Sequence, residues 1–454
     1  MLMCGLSGFA QSATQVTTGD VWRETGGGMM ALGLSNNGRY IVGTCYNWEG
    51  FIYDIKQKKI MTTGMVDGST QGEQGANEFY SATDDGVAVG SDANGGIRLG
   101  IEGTYEVFAP PVEGFIYVTP MDVTPDGSLV VGYVSGYYDS TPCYWIGNEI
   151  HYLPFPNSEE AGFQINRGTK ALWVSSDGSI IGGQIMNGTA TNPLIYWVRQ
   201  EDGTYEYVPV FKKYYEDGRR PDGSIKTAYE TDLYKWFEPA AMSPDGKKFA
   251  MYIQRQINHE LGIFDTETEE MEIVPFDRNN LLYSRDMFSI LALSNNGYMT
   301  GFLGAATQAY PIILMPGEYD DAKTMTQAFP GVELLETYED NWIEIGALCL
   351  LSGLSEDASV ISGYIELEID SAPGNAGFAA FYIETGINDD PNDDPNDDPN
   401  DNPGEDAVGR IQDDTQSGAP EYFTADGLKV NAPVKGLNIV RYPNGTTRKV
   451  IVNN

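Results

Sequence analysis

One phrase recurs seven times along this chain and narrows its possible folds more than anything else in the sequence. It is a small or apolar run, a Ser or Thr, an Asx-rich turn ending in Gly, and an apolar run closing on Gly. The copies read ALGLSNNGRYIVG from Ala31, SATDDGVAVG from Ser81, MDVTPDGSLVVG from Met121, ALWVSSDGSIIGG from Ala171, AAMSPDGKKFAMY from Ala240, LALSNNGYMTG from Leu291 and LSGLSEDASVISG from Leu351. Self-similarity at tens of residues marks a repeat architecture, whose units bury their apolar faces only by stacking on one another. Asn-Gly or Asp-Gly between two short β-type runs signals a hairpin, because the tight turn needs positive φ and glycine adopts it without steric cost. The turn glycines are Gly38, Gly86, Gly127, Gly178, Gly246 and Gly297, with Ala358 in the seventh place, at irregular intervals of 41 to 68 residues.

A third apolar, β-rich run follows each hairpin: FIYDI from Phe51, IRLGI from Ile97, CYWIG from Cys143, LIYWV from Leu194, LGIFD from Leu261, PIILM from Pro311 and AAFYI from Ala379. After most of them comes a short turn and a fourth run, as in KKIMTT, TYEVF, EIHYL, TYEYVPV and EMEIVP. Four antiparallel strands per unit and seven units predict an all-β fold, a seven-bladed β-propeller over residues 11–387. The seventh unit lacks a fourth strand of its own, since Ile387 runs straight into an acidic segment. Residues 15–22, QVTTGDVW, are expected to supply it and latch the ring.

The repeated pattern A-x-x-x-S-x-D-G-x-x-x-x-G, followed by an aromatic strand, resembles the extracellular HAF repeats of bacterial β-propellers and covers most of residues 31–384. The resemblance implies the fold. It leaves function open, because such propellers serve as binding scaffolds, adhesins and enzymes alike.

Residues 1–10, MLMCGLSGFA, form a short apolar run with small residues three and one before a cleavage point, and are expected to be the tail of a secretory signal. A lipoprotein reading of Cys4 meets the large Met3 where a small residue is wanted. Without Cys4, the cysteines Cys45, Cys143 and Cys349 are odd in number, so a full disulfide framework is excluded and buried small hydrophobes are expected. No stretch approaches the ~20 apolar residues of a transmembrane helix. A net charge of −38 disfavours nucleic acid and anionic lipid as partners, because phosphate binding depends on clustered Lys and Arg.

The segment 388–403, NDDPNDDPNDDPNDNP, has no apolar side chain to bury, so residues 388–409 read as an extended acidic spacer. It also lacks the glycine and terminal glutamate of a calcium loop. Beyond it, EYFTADGLKV from Glu421 and KGLNIVRYPNGTTRKVIVN from Lys435 carry two hairpin signals and a last strand, predicting a short C-terminal β tail within residues 410–454. This order of motifs resembles the C-terminal sorting domain of the type IX secretion system of Bacteroidetes. The resemblance implies secretion machinery as a partner and a secreted or cell-surface location. A small β appendage is the alternative.

In each blade the turns joining strands one to two and three to four share one face, and here both are short. The long connections lie on the other face, at 63–79, 154–170, 210–239 and 316–346, and variable loops on a rigid scaffold are where binding usually resides. Tyr46, Trp48, Tyr137, Tyr138, Trp236 and Trp342 fall in loops of that face and are the candidate ligand-binding residues, with Tyr214 and Tyr215 beside them. Exposed rings stack on sugars or peptides; the alternative is packing between blades. Neither His151 nor His259 has a nucleophile or metal-ligand pattern around it, and no catalytic motif, metal or cofactor signature is present. The function expected is a non-catalytic binding scaffold for an extracellular glycan or protein. The alternative is a carbohydrate-active enzyme, a hydrolase or lyase, using loop carboxylates such as Glu159-Glu160, Asp320-Asp321 or Glu339-Asp340.

Overall fold

The computed structural model describes residues 14–15, 28–45, 48–67, 77–161, 165–186, 192–208, 210, 237–255, 258–274, 288–305, 308–319, 322–324, 328, 349–368, 376–387, 421–424, 429–430, 436–441 and 447–452. Seven four-stranded antiparallel sheets form a ring, so the molecule is an all-β seven-bladed propeller. The first blade runs Met29–Leu34, Tyr40–Cys45, Gly50–Asp54 and Lys59–Thr62 from the axis outward, and the next five repeat that order. Their innermost strands are Glu78–Ala82, Tyr117–Val123, Thr169–Val174, Phe237–Met242 and Phe288–Leu293. The seventh blade contributes Cys349–Leu354, Val360–Glu368 and Ala376–Glu384, and its fourth strand is Thr14–Gln15, paired with Tyr382 and Phe381. The ring is therefore latched by the N-terminal segment. The latch starts one residue before the expected stretch, and residues 16–22 of that stretch lie outside the described residues.

Every copy of the repeated phrase folds into the same turn. The Ser or Thr is buried, and its hydroxyl donates to the Asx side-chain oxygen two residues on: Ser35 to Asn37 (2.7 Å), Thr83 to Asp85, Thr124 to Asp126 (2.8 Å), Ser175 to Asp177 (2.7 Å), Ser243 to Asp245 (2.6 Å), Ser294 to Asn296 (2.6 Å) and Ser355 to Asp357 (2.8 Å). In most copies the same hydroxyl accepts a backbone N–H from the start of the second strand, as from Ile180 to Ser175 at 2.9 Å. The fourth residue donates its N–H back to the Ser or Thr carbonyl and takes a left-handed backbone, from Gly178 at φ 68 to Gly297 at φ 90. Ala358 takes it too, at φ 64. A left-handed backbone costs an L-residue on the order of 1 kcal/mol. The Ala358 methyl offsets part of this by packing, fully buried, between blades six and seven.

These bonds favour the ionised Asp. Hydrogen bonds from Ser128 and Thr124 hold Asp126 below the ordinary Asp range. Burial pushes Asp177 upward, but hydrogen bonds from Ser179 and Ser175 outweigh it and leave Asp177 lowered as well. A lowered folded value contributes stability that is present above the unfolded value of about 3.9 and lost as pH falls through the folded value.

One residue pair before the turn, each innermost strand slips register by a β-bulge: Ala31/Gly33, Phe79/Ser81, Pro120/Asp122, Ala171/Trp173, Pro239/Ala241, Ile290/Ala292 and Leu351/Gly353. A bulge sharpens local twist and re-aims side chains, and here it does so at one level around the whole ring. The core is divided among the blade junctions. Seven apolar clusters each combine residues of two neighbouring blades, among them Trp197 and Ile181 with Val131, and Phe249 and Met251 with Tyr196. Burying one such large side chain contributes about 1.5–3 kcal/mol, so no blade is stable without its neighbours. The chain divides into two compact units, Met1–Asp389 and Asp390–Asn454. The second holds a four-stranded sheet of Glu421–Thr424, Lys429–Val430, Gly436–Arg441 and Thr447–Val452, with Glu421–Thr424 between the second and third of these. The acidic segment 388–403 lies outside the described residues.

Two outcomes are expected. Ser175→Ala and Asp177→Ala should each lower unfolding free energy by about 1–2 kcal/mol in denaturant titrations, and the double variant should lose less than the sum, because one hydrogen bond is shared. Deleting residues 1–15 should lower the melting temperature and promote association, since the edge of Ala376–Glu384 then lacks its partner.

Candidate functional site

The two faces of the ring differ in construction. On the tight-turn face the seven turns are stitched to one another. Glu356 N–H donates to Asn36 O (2.9 Å), Asn37 N–H to the Asp84 carboxylate (3.0 Å), and Asp84 N–H to Pro125 O (2.9 Å). Val174 N–H donates to the Asp122 carboxylate (2.8 Å), Ser176 N–H to Pro244 O (2.6 Å), Asp245 N–H to Asn295 Oδ1 (2.8 Å), and Asn295 N–H to Glu356 O (2.8 Å). Each blade junction thus carries at least one link, the one between blades three and four running through inner-strand residues. Pro125 and Pro244, which have no N–H, serve as acceptors. Asn36 also reaches across the axis, its amide Nδ2 donating to Ser176 Oγ of blade four at 2.9 Å.

Inside this stitched end lies a cavity of about 110 Å³ lined by Asn36, Asp122, Trp173, Ser243, Leu293 and Leu354 among others. That volume matches a few waters at about 30 Å³ each. Burial pushes Asp122 up to about 6, against hydrogen bonds from Ser81, Val174 and Val123 that pull it down. Through these bonds Asp122 ties together the inner strands of blades two, three and four. Burial likewise raises Asp84, with the Asp85 charge adding to it, and Glu356, with Asp84 and Asp357 adding to it.

The opposite face carries the exposed rings. Trp48, in the loop between the second and third strands of blade one, is 54% exposed. Tyr137 and Tyr138, in the corresponding loop of blade three, are 85% and 80% exposed, their ring centroids 6.5 Å apart at 49°. The Gly136 N–H donates to Asp139 O and the Ile116 N–H to Ser135 O, which sets this loop beside the strand start at Ile116 and Tyr117, both exposed. Tyr46, Trp236 and Trp342, also singled out in the sequence, lie outside the described residues, as do Tyr214 and Tyr215. Ile116 and Tyr117 were missed by sequence reasoning, since they sit at the edge of a strand-like run with no turn signal to mark them.

The carboxylate pairs divide differently. Glu159 and Glu160 lie in the single-turn helix Ser158–Ala161, which Asn157 caps: its Oδ1 accepts both of their N–H groups, and the Glu160 carboxylate accepts the Asn157 N–H at 3.0 Å. Asp320-Asp321 and Glu339-Asp340 lie outside the described residues. Glu238, at the start of the innermost strand of blade five, is pushed up to about 6 by burial, with the Asn192 amide 3.3 Å from its Oε1 lowering it in part. No motif marked it.

Among the described residues no three His, Cys, Asp or Glu side chains converge as a metal site, and no helix is long and apolar enough to cross a membrane. His151 stacks on Tyr144 with centroids 4.9 Å apart. Cys45, Cys143 and Cys349 are buried free thiols, and burial, with the Glu49 charge adding to it, pushes Cys45 up to about 12. Such thiols pack as small hydrophobes.

No protein-family model matches the sequence, and no curated protein is similar to it. Among solved structures the chain is similar to TolB from Acinetobacter baumannii, with 14% identity and a TM-score of 0.37 over 63% of this chain and 62% of that one. The match thus spans less than two thirds of that protein. The chain is also similar to an oligogalacturonate lyase from Vibrio parahaemolyticus (11% identity, TM-score 0.47, 82% of this chain and 95% of that one). A further likeness is to an oligogalacturonate lyase in complex with manganese (11% identity, TM-score 0.46, 83% and 94%). Identities this low do not carry chemistry from one propeller to another.

The raised Asp122 sets a pH dependence with a definite sign. Its folded value lies above the unfolded value of about 3.9, so its contribution is full below about pH 4 and is lost as pH rises through about 6. Melting temperatures measured across pH 4 to 7 should therefore fall for the native protein relative to Asp122→Asn.

Proposed function

We propose that this propeller is a non-catalytic binding scaffold that engages an extracellular glycan or protein through its long-loop face. The observation that carries this reading is the exposure of Trp48, Tyr137 and Tyr138 on that face. Large aromatic side chains are ordinarily drawn into the core, as Trp145 and Trp197 are here, and adjacent rings left in water offer apolar area for a partner. The opposite face is committed to its own turn-to-turn hydrogen bonds, which leave its turns little freedom to adapt to a ligand.

Export fits the same reading. The apolar residues 1–10 act as a secretory signal, residues 388–409 as a spacer, and residues 410–454 as a sorting-like module addressed to the secretion machinery, placing the propeller outside the cell or at its surface. The resemblance of the repeats to HAF repeats, and of the tail to type IX sorting domains of Bacteroidetes, supports this assignment.

A second reading, a carbohydrate-active hydrolase or lyase, draws on Glu238. A carboxyl held near 6 on the loop face suits a general acid or base. The scaffold reading is preferred because it stands on three exposed rings of that face, whereas the enzyme reading stands on one carboxyl and retaining or inverting hydrolysis needs a pair.

On glycan and protein arrays the full chain should bind at least one ligand class, and Tyr137→Ala/Tyr138→Ala should abolish that signal without changing the melting temperature. Uniformly blank arrays would sink the scaffold reading. Turnover of a polysaccharide that disappears in Glu238→Gln would replace it with the enzyme.

A further inference from the structure

Four non-glycine residues among those described hold a left-handed backbone: Trp48 (φ 67), Lys58 (φ 53), Glu269 (φ 55) and Ala358 (φ 64). Three of them occupy slots that repeat around the ring. Ala358 stands where six blades place the turn glycine. Lys58 and Glu269 stand in the turns between the third and fourth strands of blades one and five, where blades two, three, four and six place Gly103, Gly147, Gly203 and Gly317, all at positive φ. In these three cases the propeller itself demands the conformation.

Trp48 lies on the other face, and of the two counterpart loops that are fully described, that of blade two places glycine at positive φ, Gly95 at φ 122, while that of blade three, Gly136 to Asp139, has no positive φ, so the ring does not impose the conformation at every blade. Among the described residues its backbone makes two bonds: Trp48 N–H donates to Cys45 O (2.9 Å) and Trp48 O accepts from Asn77 N–H (3.0 Å). Any residue makes those two bonds, and Gly or Asn makes them with less strain. Burial of the side chain does not offset the strain, because the indole is 54% exposed. Its support is firm. The neighbouring Glu49 carboxylate accepts from Thr62 Oγ1 at 2.7 Å and fills the space over Gly64, and Met65 beyond it is exposed. A strained backbone that displays a large ring to water is a cost that burial of the ring does not offset, and such residues concentrate at ligand sites.

We propose that Trp48 anchors a subsite for an uncharged polysaccharide chain, its strained turn holding the indole out so that a sugar ring stacks on it. This rests on the reading of the long-loop face given above. The apolar C–H face of a pyranose matches the π face of the indole, while the sugar hydroxyls remain in water. A peptide anchor residue, by contrast, needs an enclosing pocket to be desolvated, and Trp48, Tyr137 and Tyr138 stand open at 54%, 85% and 80% exposure. A net charge of −38 repels polyanions, which selects an uncharged chain over a uronate. The two platforms stand on blades one and three, with blade two between them, so one monosaccharide does not serve both and an extended chain does.

The experiment uses the full chain and the variants Trp48→Ala, Trp48→Gly, Trp48→Phe and Tyr137→Ala/Tyr138→Ala. Soluble glucan, xylan, mannan and galactan are the uncharged probes, polygalacturonate is the anionic one, and a protein array runs in parallel. At least one uncharged polysaccharide should retard the native protein in affinity electrophoresis, and polygalacturonate should not. Trp48→Ala and Trp48→Gly should weaken that binding about tenfold or more, a loss of about 1.4 kcal/mol, and Trp48→Phe should stay within a few-fold. Trp48→Gly should also melt above Trp48→Ala, because both lack the ring and only glycine relieves the turn. The proposal is overturned if Trp48→Gly melts no higher than Trp48→Ala, if either variant binds the polysaccharide as tightly as the native protein, or if polygalacturonate is the preferred probe. Polysaccharides left unbound beside a positive protein array would overturn this inference and spare the scaffold reading. Blank results on both would remove the two together.

Discussion

The structure depends on a hydroxyl buried at the inner corner of each blade. It donates to an Asx oxygen, in most copies it accepts the N–H that starts the second strand, and its own residue's carbonyl takes the N–H of the left-handed turn residue. A buried hydroxyl without such partners would cost its desolvation, so the Ser or Thr and the Asx are useful only together. Once both are present the turn has one conformation. It fixes where the second strand leaves the axis, and the third and fourth strands follow by antiparallel pairing.

Repetition turns this local device into a ring. Seven like corners bring seven turns to one level on one face, and each blade junction there is bridged by hydrogen bonds, through turn residues at six junctions and through Val174 and Asp122 of the inner strands at the junction of blades three and four. The apolar clusters then form between blades, because each sheet has two faces and only a neighbour can cover them. Closing the last blade with Thr14–Gln15 joins the N-terminal segment to the seventh blade, so the final junction is held by backbone hydrogen bonds as well as side-chain packing.

The same construction divides labour between the faces. Tight turns locked to one another leave little freedom for variation, and the irregular intervals between repeats are spent on the opposite side. There the described loops hold rings out in water, and at Trp48 they do so against the backbone's preference. Rigidity on one face is what gives precision to loops on the other.

Blade number, strand order and the turns were legible in the sequence, because Asx-Gly and short apolar runs act over a few residues, where local sterics and hydrogen bonding decide the outcome. The N-terminal latch was legible as a missing fourth strand after Ile387, though its start at Thr14 was not, since a two-residue strand has no pattern of its own. The exposure of Trp48, Tyr137 and Tyr138 was not decided by sequence: the same residue types sit fully buried at Trp145, Trp197 and Tyr53. Nor could it be known that Asp122, at a bulge position filled by small residues or Trp in the other blades, would link three inner strands and be pushed up to about 6. The sequence by itself determined the repeating corner and hence the propeller. Only the tertiary structure decided which rings face water and which carboxyls lose it, because burial depends on neighbours brought together from distant parts of the chain.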